Sequence, residues 1–174
     1  HKDRMSALAV ARAASLGRET VVAASSGNAG ASLAAYAAAA QLRCVIISTA
    51  NINPVWELAL RMAGAELILT ETPKERWQIM RPRVDEEGGY PVTNYLDPPT
   101  GSNPFGVQGY KTVAYEIVEQ CDGDLPTVVI VPTARGDLLW GIWQGFLESG
   151  HSELLRLVAV EPFARLSGVL VGED

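Results

Sequence analysis

Ser25-Ser26-Gly27-Asn28-Ala29-Gly30 is the stretch on which the reading of the fold turns. Before it stands a short β-branched run, Thr20-Val21-Val22-Ala23-Ala24, and after it an alanine-rich stretch, 31–42. The pattern predicts a strand, a turn of small residues, and a helix over about 29–41. Such a turn lets backbone N–H groups at a helix N-terminus approach an anion closely. Ser25 and Ser26 add hydroxyls, and Asn28 adds an amide that can both donate and accept. Alone, the same residues also suit an ordinary strand–turn–helix connection with capping side chains.

The chain opens on His1-Lys2-Asp3-Arg4. Further along stand Gly106-Val107-Gln108-Gly109-Tyr110-Lys111-Thr112, Val129-Ile130-Val131-Pro132 and Val158-Ala159-Val160-Glu161-Pro162. With Lys2-Asp3-Arg4 and Ser26-Gly27-Asn28 in this order, the sequence resembles the threonine synthase-like branch of the pyridoxal-phosphate enzymes of fold type II. These share the tryptophan synthase β-subunit fold. The resemblance covers nearly the whole chain. Each motif is weak singly, whereas the ordered set is fairly specific.

Composition bounds the alternatives. At 174 residues, 48% hydrophobic and 20% charged, the chain has the apolar material for a real core. A net charge of −6 argues against nucleic acid or an anionic membrane as the main partner. Charged or amide side chains interrupt every apolar run before it reaches membrane-spanning length. Cys44 and Cys121 are too few and too scattered for a disulfide framework or a zinc site, and read as small hydrophobes. His1 and His151 are isolated, so a metal site and a Ser–His–Asp triad are poorly supported. The compartment suggested is the cytoplasm. His1 is no initiator and members of the resembled family are longer, so the chain reads as an internal portion of a longer protein.

Taken in order, strands alternate with helices, which argues for parallel α/β layers. Asp3 is the candidate N-cap of a helix over 4–16, with Met5, Leu8, Ala9, Ala13 and Leu16 as its apolar stripe. Strands are expected at 20–24, 43–48, 66–69, 127–131 and 157–160, with Tyr90-Pro91-Val92-Thr93 as an edge strand because Pro91 cannot donate to a ladder. Pro54 opens one helix, and Pro82 is expected to kink or shorten another over 73–87. Residues 96–106, dense in proline and glycine, form a loop of the kind that crosses between domains or joins a site, leading to a helix over 107–120. Trp140 and Trp143 read as core or interface.

The resemblance implies two α/β lobes with cofactor between them. Residues 1–29 would belong to the larger lobe with the cofactor lysine, 30–98 to a smaller mobile lobe, and 99–174 to the larger lobe again. It implies pyridoxal 5′-phosphate as cofactor, Lys2 as the lysine that carries it and as the base at the α-carbon, and Asn28 beside the ring hydroxyl. Ser25, Ser26, Gly27 and Asn28 would receive the substrate carboxylate. The phosphate would lie against Thr133, Ala134, Arg135, Gly136, Asp137 and Leu138. Here the sequence departs from its relatives, whose loop is glycine-rich; this one keeps only Gly136. Asp137 would oppose a phosphate unless it turned away to cap the helix, and Arg135 could offset that charge.

The implied activity is elimination or replacement at Cβ or Cγ of a small amino acid, as by a lyase. For a threonine synthase this would be O-phosphohomoserine to threonine and phosphate, in a homodimer. A serine/threonine ammonia-lyase is the first alternative. A non-catalytic relative kept as a binding or regulatory module is the second.

Overall fold

The computed structural model describes residues 1–96, 101–122, 124–151, 156–164 and 166–172. It falls into two compact units, His1–Gly106 and Val107–Asp174.

The first unit alternates α1 (Lys2–Ser15), β1 (Thr20–Ala24), α2 (Asn28–Ala39), β2 (Arg43–Thr49), α3 (Pro54–Met62), β3 (Glu66–Thr70), α4 (Pro73–Asp85) and β4 (Tyr90–Pro91). Its four strands lie in the order β3-β2-β1-β4, every pairing parallel. Parallel strands need crossovers, and the helices that supply them cover the sheet faces. The central strands are accordingly apolar through their middles: Val21, Val22 and Ala23 in β1 and Cys44, Val45, Ile46 and Ile47 in β2 are buried. Burial without a partner charge pushes the Cys44 thiol up to about 12, so it remains an inert core group. The short strand β4 takes the edge beside β1, where Pro91 is tolerated as expected. Residues 1–29 and 30–96 therefore lie in one unit, with β1 at the middle of its sheet.

Local chemistry sets the helix ends. Asn53 caps α3 by accepting from the Val55 N–H at 2.9 Å, with Pro54 in the first position. Thr72 and Glu75 form a reciprocal capping box on α4. The Thr72 hydroxyl donates to the Glu75 carboxylate at 2.7 Å and holds its pKa below the ordinary value. Helix α4 runs through Pro82 to Asp85, so the proline does not end it.

Two expectations for α1 need correction. The helix starts at Lys2 with His1 at the cap position, so Asp3 is its second residue and not its N-cap. Leu8 and Leu16 are exposed, and Ser6 and Val10 join Met5, Ala9 and Ala13 on the buried face. A helical stripe read from apolarity alone misses a buried serine that has found a polar partner. Arg12 lays its guanidinium 4.4 Å from the centre of the Phe105 ring.

The expected loop 96–106 lies partly outside the described residues, at 97–100. Its described part is anchored by Asn103, whose Oδ1 accepts from the Gly106 N–H at 3.0 Å and whose amide donates to the Pro91 carbonyl at 2.8 Å.

The second unit carries α5 (Pro104–Val107, which spans the division), a 3₁₀ turn at Gln108–Tyr110, α6 (Lys111–Gln120), β5 (Val128–Pro132), α7 (Asp137–Glu148), β6 (Arg156–Val160) and α8 (Leu166–Leu170). The helix expected over 107–120 is thus broken, with α6 beginning only at Lys111. Strands β5 and β6 pair in parallel, in register from Val128–Arg156 to Pro132–Val160. Ala114, Val131, Ile142 and Phe146 form the core. Helix α7 approaches α6 and the 3₁₀ turn closely because Gly145 faces the one and Gly141 the other: a β-carbon at position 145 would stand 2.5 Å from the Lys111 carbonyl oxygen. Trp140 and Trp143 are on the exposed side of α7.

Candidate functional site

The turn between β1 and α2 is closed on itself. Ser25, buried, takes its N–H to the Ile47 carbonyl at 3.0 Å, and its Oγ accepts from the Gly30 N–H at 2.9 Å. Gly30 is closely packed, since a β-carbon there would lie 3.2 Å from Ser25 Cβ and 3.4 Å from Ile46 Cγ2. Gly27 is the N-cap residue of α2 and offers no side-chain cap. Asn28 is the first helical residue, exposed, and its amide has no hydrogen-bond partner among the described residues. The capping explanation for Asn28 therefore fails on position: the residue sits one place too late to act as N-cap.

Two residues of this site escape a sequence reading. Arg76 of α4 donates from Nη1 to the Ser26 Oγ at 3.3 Å, across fifty positions of sequence. Thr93 accepts the Ala24 N–H on its Oγ1 at 2.8 Å, holding the end of β1 from the segment after β4. Neither stands near the motif in the chain, and only the parallel sheet order brings them to it.

Lys2 is the first residue of α1 and half-buried. Its neighbour Asp3 accepts from the Ser32 Oγ at 2.6 Å, and Ser32 in turn lies 2.8 Å from the Ser6 Oγ. Ser32 belongs to α2, one turn after Asn28. The helix with the candidate cofactor lysine is thus tied to the helix that begins with the candidate ring-binding amide.

In the second unit, Thr133-Ala134-Arg135-Gly136 forms the turn from β5 to α7. Gly136 is the N-cap at φ 86°, a left-handed conformation that favours glycine. The Thr133 Oγ1 accepts from the Gly136 N–H at 3.0 Å, which holds the turn in shape. Asp137 does not cap α7; it is the first helical residue. Its charge adds to burial in pushing the Tyr110 hydroxyl up to about 12, so Asp137 acts electrostatically toward Tyr110. Arg135 is exposed. Beyond β6, the Glu161 carboxylate accepts from the Leu166 N–H at 2.7 Å and the Ser167 N–H at 3.1 Å.

These groups fit pyridoxal phosphate in kind. Lys2 offers an amine, Asn28 an exposed amide, and the turn at 133–138 offers first-turn N–H groups of a twelve-residue helix behind a left-handed glycine. Among the described residues no cluster of three His, Cys, Asp or Glu side chains is placed to hold a metal, and no helix is long and apolar enough to cross a membrane.

Comparison with known proteins agrees with that chemistry. Residues 1–170 match the family model for pyridoxal-phosphate dependent enzymes. The chain is 34% identical over 148 residues to threonine synthase of Methanocaldococcus jannaschii, covering 84% of this chain and 35% of that protein. It is 31% identical over 160 residues to the 2-amino-4-ketopentanoate thiolase beta subunit of Acetoanaerobium sticklandii, covering 86% of this chain and 33% of that protein. The fold matches Escherichia coli diaminopropionate ammonia lyase with a TM-score of 0.78 at 22% identity, over 92% of this chain and 47% of that one. The chain thus spans about a third of the length of the curated relatives described.

Proposed function

This chain belongs to the pyridoxal-phosphate-dependent enzymes of fold type II, and we propose that it carries part of the active site of a threonine synthase-like enzyme. The reaction would be elimination or replacement at Cβ or Cγ of a small amino acid, with O-phosphohomoserine as substrate. The observation that carries the reading is the exposed amide of Asn28, which has no capping role. Similarity to threonine synthase supports the choice of branch.

Pyridoxal phosphate, when bound, supplies an electron sink for charge developing at the substrate α-carbon. The chain's own residues then have these roles. Lys2 holds the cofactor through its Nζ and removes the proton at Cα once that nitrogen is released. Asn28 hydrogen-bonds the ring oxygen with its amide. Ser25, Ser26 and Gly27 receive the substrate carboxylate at the start of α2. Both hydroxyls accept, Ser25 from the Gly30 N–H and Ser26 from Arg76, so each keeps its proton to give; Ser25 is buried and Ser26 half-buried, which makes Ser26 the more accessible donor. Thr133, Ala134, Arg135, Gly136, Asp137 and Leu138 cradle the phosphate by backbone N–H groups, and the exposed Arg135 offsets the charge of Asp137. Residues 30–98 would form the smaller, mobile lobe and residues 1–29 and 99–174 the larger one, in a homodimeric enzyme in the cytoplasm.

Lys2→Ala in the full-length protein tests the reading. The wild type is expected to be yellow and to lose its visible cofactor band with borohydride. The variant is expected to keep its fold, lack that band and lose turnover. Release of phosphate from O-phosphohomoserine identifies the threonine synthase reaction. Release of a 2-keto acid and ammonia from serine or threonine would identify an ammonia-lyase instead. A colourless wild-type protein that ignores both substrates would leave the fold as a binding module.

A further inference from the structure

We propose that Ser32 is a positioning residue for Lys2, acting through Asp3; this rests on the role of Lys2 given above. Ser32 is 8% exposed and Ser6 3%, yet both are hydroxyl-bearing residues on faces otherwise lined by alanine and larger apolar groups. The proton count orders the chain of contacts. A carboxylate only accepts, so the single Ser32 proton goes to Asp3 Oδ1 at 2.6 Å. The Ser6 hydroxyl must then donate to the Ser32 Oγ at 2.8 Å. Ser6→Ser32→Asp3 is a directed chain with a charge at its end, and the short final bond is of the charge-assisted kind.

The spacing gives this chain its consequence. Lys2 and Ser6 are four residues apart on α1, and Asn28 and Ser32 are four apart on α2, so each pair shares a helix face. Ser32 therefore pins the first turn of α1 at a set height against α2, one turn beyond Asn28. The bond from Asp3 to α2 is adjacent to Lys2 in the chain and fixes the turn of helix from which the Lys2 side chain starts. Met5 and Ala9 leave little freedom on the other side, because a β-carbon at Gly106 would stand 3.1 Å from Met5 Cγ and 3.3 Å from Ala9 Cβ.

The test uses Ser32→Ala, Asp3→Ala, Asp3→Asn and Ser6→Ala in the full-length protein. Retention of pyridoxal phosphate is measured by equilibrium dialysis, and the lysine it modifies is identified by borohydride reduction and peptide mass spectrometry. Ser32→Ala and Asp3→Ala are expected to weaken retention about tenfold, the loss of one charge-assisted hydrogen bond, and to shift the visible band. Asp3→Asn keeps a neutral acceptor for Ser32 and is expected to recover part of the retention that Asp3→Ala loses. Ser6→Ala removes a buried hydroxyl but leaves Ser32 bonded to Asp3, so it should lower the melting temperature and spare retention. If Ser6→Ala weakens retention as much as Ser32→Ala, or Asp3→Asn behaves as Asp3→Ala, the positioning role is overturned. Wild-type retention in Ser32→Ala with label on Lys2 overturns this inference alone. Wild-type label on a lysine other than Lys2 overturns the role of Lys2 and this inference with it.

Discussion

The two parallel strand systems of this chain are built from similar residues and end in different environments. In the first unit, β1 and β2 put Val21, Val22, Val45, Ile46 and Ile47 at 1% exposure or less. In the second, β5 reads Val-Val-Ile-Val-Pro, equally β-prone, yet Ile130 is 65% exposed and Val128 37%, and only Val131 is buried. Strand propensity is the same; the number of covering layers is not. The four-stranded sheet takes helices on its faces, with Met80 of α4 packed on Val22, Val45 and Ile47. The β5–β6 pair rests on α7 and α6 through Val131, Ile142, Phe146 and Ala114. The lesson is that an apolar strand specifies a sheet, and its neighbours decide how much that strand stabilises.

Three substitutions would break or sharpen that contrast, all followed by urea denaturation of the full-length protein. Met80→Ala, at a fully buried position under the sheet, should cost about 2–5 kcal/mol by leaving a cavity. A loss below about 1 kcal/mol would mean that α4 is not what covers β1 and β2. Gly145→Ala should cost about 1–3 kcal/mol through overpacking, because the new methyl meets the Lys111 carbonyl and Ala114 Cβ. Unchanged stability there would show that α7 and α6 can separate without penalty. Ile130→Thr should change stability by no more than about 0.5 kcal/mol, as expected of an exposed position. A loss as large as that of Met80→Ala would show that the outer face of β5 is covered in the full protein.

The alternation of helix and strand was legible because its signals are local. β-branched runs at 20–24 and 43–48, Pro54 after Asn53, and the glycines at 17 and 64 each act within a few residues. The edge position of Tyr90-Pro91 was legible for the same reason, since a missing N–H is a property of one residue. The family was legible from ordered short motifs, with the family model matching over 1–170.

What the sequence could not give were the choices made by contact across the chain. Asp3 has the composition of an N-cap, yet it stands at the second helical position and accepts from Ser32 of the next helix at 2.6 Å. Asn28 has the same composition, and sits one residue past the cap position. Pro82 carries a helix-breaking signal, yet α4 continues through it to Asp85 and buries Met80 on the sheet. By itself, the sequence determined the strand–turn–helix at 20–39, the parallel α/β class and the kinds of chemical group available, because these follow from backbone preference and side-chain type. Only the tertiary structure decided that Arg76 holds Ser26, that Ser32 holds Asp3 and that Asp137 faces Tyr110 in charge. Those pairings are set by sheet order and helix packing, which join residues tens of positions apart and leave no local trace.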